Sequence, residues 1–116
     1  MLMNLPFLTS IGLSQGEAKV YGALLEIGVC SLQSIHEKTA IDRRNIYDII
    51  NKLVEKGLVS YTVEKGRKKF QITHPNKLLD FIDCQKDVIK EREGEVRQHL
   101  PNLISLFSQK KESYSR

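Results

Sequence analysis

Between Asp42 and Thr73 the spacing of apolar residues changes once, at Gly57, from a helical period to a strand period. Before the glycine, Ile46, Ile49, Ile50 and Leu53 fall within one arc of roughly 100° if residues 43–56 are helical, because residues three and four apart share a helix face. The opposite arc carries Arg44, Tyr47, Asp48, Asn51 and Glu55, with Arg43 on its flank. After the glycine, Val59, Tyr61 and Val63 alternate with Ser60 and Thr62, and alternation resumes from Lys69 to Thr73 beyond a Lys65-Gly66 turn. This reads as a hairpin with a basic tip. A two-faced helix leading directly into a hairpin constrains the fold more than any other stretch.

The upstream residues supply two further helices. Ser14 and Glu17 have capping-box spacing, and Ala18, Tyr21, Leu24, Leu25 and Ile27 recur at helical intervals, so a helix is predicted over 15–27 with Gly28 as its stop. Ser31 opens a shorter helix that carries Leu32 and Ile35 inward and ends near Thr39-Ala40. Asp42 suits the N-cap of the helix that follows. The order is three helices and a hairpin, with a close turn between the second and third helices. The predicted fold is therefore mainly α with a small β-hairpin, a winged helix-turn-helix followed by one long helix.

Charge is concentrated on the same stretch. Residues 42–73 hold eight basic and four acidic side chains, a net +4, which is the formal charge of all 116 residues; the ten basic and ten acidic groups elsewhere cancel. A solvated surface spreads its charge, whereas a surface that meets phosphates concentrates it. A helix fits the major groove of duplex DNA and reads bases from its N-terminal residues. Arg43, Arg44, Tyr47, Asp48 and Asn51 occupy that end. Arg44, by its fork on guanine, and Asn51, by its amide on adenine, are the candidate base readers; Arg43 suits a phosphate or flanking base. Tyr47 either meets the DNA or packs at the helix edge, and Asp48 either orients an arginine, the favoured role, or accepts from cytosine N4. Lys65, Arg67, Lys68 and Lys69 form a wing expected to follow the backbone or minor groove. A merely solubilising hairpin that blunts an exposed edge is the plainer alternative.

The stretch Leu13–Gly28 resembles the opening helix of the TrmB-like archaeal and bacterial regulators, and Ile41–Val59 resembles their recognition helix and its exit. The turn Glu64–Phe70 and the helix start Pro75–Leu79 are similar as well, so the resemblance covers residues 13–79. It implies a winged-helix DNA-binding domain acting in transcription control. Ala40 departs from the pattern, standing where the family has glycine in the helix-turn-helix turn. Larger members carry a C-terminal sugar-binding domain that 116 residues leave no room for, so sugar sensing is not carried over and no small-molecule effector is inferred.

Pro75 suits the first turn of a helix predicted to reach about His99. Within it, Leu78, Ile82, Gln85, Ile89, Arg92, Val96, His99 and Leu103 follow a 4-3 spacing near that of a coiled-coil seam, widened by Phe81, Val88, Leu100 and Phe107. A helix so apolar on one side needs a partner, and the sequence favours a homodimer through Leu78, Phe81, Ile82, Ile89, Val96, Leu100 and Leu103 over folding back. A two-fold dimer would present two recognition helices to a palindromic site. Pro101 is expected to kink or restart the helix, and the polar tail from Gln109 to fray. The expected organisation is a DNA-binding domain over 1–74, a dimerisation helix over 75–108 and a tail over 109–116.

Other classes are excluded by what the sequence lacks. The acidic residues Asp80, Asp83, Asp87 and Glu91 interleave with Lys86 and Lys90 as on a solvated helix face. His36, His74 and His99 lack ligand spacing, so no metal, other cofactor or catalytic residue is expected. No apolar run approaches a membrane span, and the N-terminal Met1–Leu8 has no basic n-region, which makes a cytoplasmic protein the expectation. Cys30 and Cys84 both have apolar neighbours and read as packing thiols. The rival from another class is a winged helix that docks on a protein within a transcription or chromatin complex, which Asp48 and Glu55 on the polar face keep open.

Overall fold

Ser14 starts the first long helix as its spacing requires: its hydroxyl accepts from the Glu17 N–H at 3.1 Å, and the Glu17 carboxylate accepts from the Ser14 N–H at 2.8 Å. The computed structural model describes residues 5–114 and the side chains of 6–110. Its elements are α1 (Leu5–Ser10), α2 (Gln15–Ile27), α3 (Leu32–Thr39), α4 (Arg43–Glu55), β1 (Val59–Glu64), β2 (Arg67–Ile72) and α5 (Lys77–Tyr114). This is a winged helix-turn-helix with a long C-terminal helix, mostly helical with one antiparallel hairpin, as the sequence predicts. The chain divides into two units, one ending at Ile82 and one from Asp83 onward.

In the first unit, Ile46, Ile50 and Leu53 of α4 meet Val20 and Leu24 of α2 and Ile35 of α3, all almost fully buried. Gly16 lets α2 and α4 approach, because a Cβ there would lie 2.8 Å from the Ile49 Cδ1. The hairpin joins this core at its base through Val59 and Phe70. Cys30 pairs with Phe70 in a short bridge, donating at 3.0 Å and accepting at 2.7 Å, so the wing is tied to the segment before α3.

Glu17 couples two elements. It is 3 % exposed, and its second carboxylate oxygen accepts from the Lys56 ammonium at 2.5 Å, linking the start of α2 to the end of α4. Burial pushes its pKa up, but the Lys56 hydrogen bond and charge and the Ser14 hydrogen bonds outweigh burial, leaving the carboxyl below its usual 4.5. The same ammonium lies 5.8 Å from the centre of the Phe81 ring.

Several expectations are corrected. The sequence reading had no helix before Gln15, yet α1 forms and buries Leu8 against the core alongside Leu13. Asp42 precedes α4 but its side chain makes no capping hydrogen bond. Pro75 lies in the turn before α5 rather than in its first helical turn, with Lys77 N–H donating to the His74 carbonyl at 2.9 Å. The helix neither stops nor restarts at Pro101, since proline forfeits one backbone bond and its neighbours on both sides remain helical. The predicted frayed tail is helical to Tyr114; residues 115–116, like 1–4, lie outside the described residues. Cys84 is exposed rather than a packing thiol, while Cys30 is buried, and that burial pushes its thiol up despite the opposing charge of Lys69. Phe81, assigned to a dimer face, is 6 % exposed and belongs to the domain's own core, with Leu78 and Ile82 half-buried against it. The start of α5 is thus packed on the winged domain through these three residues.

The turn between α3 and α4 carries strain. Ala40 has φ 61° and ψ 17°, a left-handed conformation in which Cβ crowds the following carbonyl. Local bonds hold it: the His36 ring nitrogen Nδ1 is 2.7 Å from the Ile41 carbonyl, and the Thr39 hydroxyl accepts from the Ile41 N–H at 3.2 Å. Ala40→Gly is expected to stabilise the protein by about 0.5–1 kcal/mol, the left-handed penalty less the extra entropy of glycine in the unfolded chain. Thermal melting would show a rise of a few degrees, and an unchanged or lower Tm rejects the strain argument.

Candidate nucleic-acid interface

The amphipathic pattern of α4 buries one face and leaves the other to solvent, and Arg43, Arg44, Tyr47, Asp48 and Asn51 are all exposed. Five groups that can donate to or accept from base edges and phosphates thus share the outward side of one helix, whose inner side is locked by Ile46, Ile50 and Leu53. Arg43 is not free: its guanidinium donates to the Gln33 side-chain carbonyl on α3, and the Gln33 amide donates to Glu37 at 3.0 Å. Gln33 is a contributor the sequence reading missed, because a partner ten residues away on another helix leaves no periodic trace.

Asp48 does not orient an arginine. Among the described residues it makes no hydrogen bond or ion pair with Arg43 or Arg44. It instead lines, with Gln15, Lys19, Asn45, Ile49 and Lys52, a shallow cleft of about 460 Å³ between α2 and α4. Lys19 and Lys52 bring two more cations to that flank of α4. Lys19 lies outside the basic block, so only the packing of α2 on α4 brings it here.

The wing is a tight hairpin in which Val59 pairs with Ile72 and Glu64 with Arg67. Lys65 and Gly66 both have positive φ, 50° and 77°, the mark of a type I′ turn whose twist matches the strands. Strand alternation divides the three bases of β2, Lys65 lying in the turn. Lys68 shares a face with Tyr61, Phe70 and Val63, whereas Arg67 and Lys69 point to the other side. Lys68 is drawn toward α4: its ammonium lies 4.6 Å from the centre of the Tyr61 ring and 5.8 Å from that of Tyr47. Tyr47 therefore neither packs into the core nor stands alone, but borders the wing.

Beyond Ile82 no described side chain of α5 is buried, and Ile89, Val96, Leu100 and Leu103 are exposed apolar groups on a helix with no core of its own. Among the described residues no helix is long and apolar enough to cross a membrane, and no group of three His, Cys, Asp or Glu could hold a metal ion.

Residues 8–76 match the family described as sugar-specific transcriptional regulator TrmB. Among solved structures the chain is similar to TrmBL2, described as an archaeal chromatin protein with a novel mode of DNA binding, at TM-score 0.75 and 24 % identity over 95 % of this chain and 44 % of that one. The chain thus spans less than half the length of that protein. A MarR family transcriptional regulator from Silicibacter pomeroyi is similar at TM-score 0.55 and 16 % identity, covering 96 % of this chain and 79 % of that one. BpsR of Bordetella bronchiseptica, whose DNA binding is regulated by 6-hydroxynicotinic acid, is similar at TM-score 0.55 and 17 % identity, over 89 % and 84 % of the two chains. At these identities the likeness is one of fold. Among curated proteins, no sequence matches significantly.

Proposed function

The chain belongs to the TrmB family of transcriptional regulators, and on that premise we propose that it binds double-stranded DNA sequence-specifically, as a homodimer on a palindromic site. In this reading α4 enters the major groove with Arg44 and Asn51 at base edges, and Arg43 meets a phosphate or flanking base beside its tether Gln33. The wing lays Lys65, Arg67 and Lys69 along the backbone or minor groove. One observation carries it: α4 and the wing, which as whole elements hold a net charge equal to that of the entire chain, lie adjacent, with the outward face of α4 and the wing tip exposed and the two meeting at Tyr47 and Lys68.

Dimerisation is supported by α5. A lone helix in water gains too little from its own hydrogen bonds to be stable without packing, and the exposed stripe of Ile89, Val96, Leu100 and Leu103 is the surface a second copy would cover. A two-fold arrangement would place two recognition helices on successive major grooves. Mass measurement in solution is expected to give twice the 13.3 kDa of one chain; a monomer at micromolar concentration rejects this part.

Duplex binding across ionic strength tests the whole. If about four cations contact phosphates, log K falls against log salt with a slope near −3.6, a loss of roughly 150-fold between about 50 and 200 mM. Failure to bind duplex at low salt, or binding indifferent to salt, would instead favour a protein-docking module, with Asp48 and Glu55 as its acidic contacts.

A further inference from the structure

We infer that Lys68 is a positioning residue, held between Tyr61 of β1 and Tyr47 of α4 so as to set the wing against the recognition helix, and that it does not neutralise a DNA phosphate. The inference rests on the DNA-binding reading above. Its starting point is strand register. Val63 pairs with Lys68 and Tyr61 with Phe70, so Tyr61 and Lys68 are diagonal neighbours on one face, within reach of each other's long side chains. Arg67 and Lys69 project from the opposite face. The three cations of β2, equivalent in the sequence, are thus divided by the pleat.

The outer half of the hairpin needs such a link. A two-stranded hairpin is marginal by itself, and this one is anchored only at its base, where Val59 and Phe70 are buried; farther out, Val63 is 61 % exposed. Among the described residues no hydrogen bond or ion pair joins residues 60–69 to α4. The contact of Lys68 with Tyr47 spans that gap, and Tyr61 holds the ammonium from the wing side. An ammonium is attracted to the negative face of each ring, so leaving for a phosphate would forfeit both contacts and release the wing. Tyr47 is then a shared element, one side toward the wing and the phenol open to DNA.

Two measurements separate this role from a phosphate contact. In the free protein, ring currents are expected to move the Lys68 ε-methylene protons upfield in NMR spectra, and Tyr61→Leu to abolish the displacement; absence of the displacement overturns the inference whether or not DNA binds. In duplex binding, Arg67→Ala is expected to reduce the salt slope by about 0.9, as loss of one phosphate contact does. Lys68→Met is expected to leave the slope unchanged while lowering affinity by about two- to fivefold at every salt concentration, with Lys68→Arg retaining both. Combining Tyr61→Leu with Lys68→Met is expected to add nothing to the larger single loss. A slope reduction for Lys68→Met equal to that of Arg67→Ala, or additive losses in the double variant, overturns it. Lack of duplex binding by the unaltered protein would instead reject the proposed function, with the ring-current measurement still reporting on Lys68.

Discussion

Arg44→Ala is expected to weaken binding to the cognate duplex by roughly ten- to a hundredfold while changing binding to random duplex by about twofold or less. The asymmetry follows from what each contact reads. Arg44 lies on the exposed face of α4, two turns from Asn51 and clear of the tether that engages Arg43. Its fork is available for the paired acceptors of guanine, and a bidentate contact of this kind contributes about 1–3 kcal/mol of discrimination. Random sequence does not present that guanine in register, so it has little to lose. Titration of the two duplexes at one salt concentration makes the comparison. Equal weakening of both would show that Arg44 meets phosphate, and the assignment of base reading would pass to Asn51 and Arg43.

Lys56→Met is expected to destabilise the fold by about 2 kcal/mol near neutral pH, which corresponds to a fall in Tm of order 10 °C for a domain of this size. The loss is not primarily that of an attraction. Removing the ammonium leaves the Glu17 carboxylate buried with only the Ser14 N–H and hydroxyl for company, and an uncompensated buried charge is the costly state. The figure lies below that for a fully buried pair because the Lys56 side chain is 29 % exposed.

The pH dependence has a definite sign. In the unaltered protein Glu17 has a depressed pKa, so its contribution is present above about pH 4.5 and is lost as pH falls through the lower folded value. In the variant, burial acts without the Lys56 charge to oppose it, and protonating Glu17 relieves the penalty. The stability gap between the two proteins is therefore widest near neutrality and closes on acidification. Denaturant unfolding between about pH 7 and pH 3 measures it, and a gap constant over that range would mean that Lys56 acts only through packing on Phe81.

Period and chemistry decided how much could be foreseen. The boundaries of α2, the hairpin turn and the inward face of α4 follow from side-chain spacing, because a helix and a strand repeat their exposure at different intervals and caps are local. The outward residues of α4 were legible for the same reason: what is not apolar on an amphipathic helix faces water. The strain at Ala40 was legible only through the family resemblance, in which glycine occupies that turn position. Helix α1 was not legible, being six residues with too few turns to show a period.

What the sequence determined by itself, then, was the order of the elements from α2 onward and the placing of all the excess charge on α4 and the wing. Both are properties of neighbours along the chain. Tertiary packing alone decided which of those residues act together. It put Phe81 into the winged domain's own core, with Leu78 and Ile82 packed against it. It joined Gln33 to Arg43 and Glu17 to Lys56 across ten and thirty-nine residues. It also turned Lys68 from its basic neighbours toward two tyrosines, since the pleat sends successive side chains to opposite faces and only one of those faces meets α4.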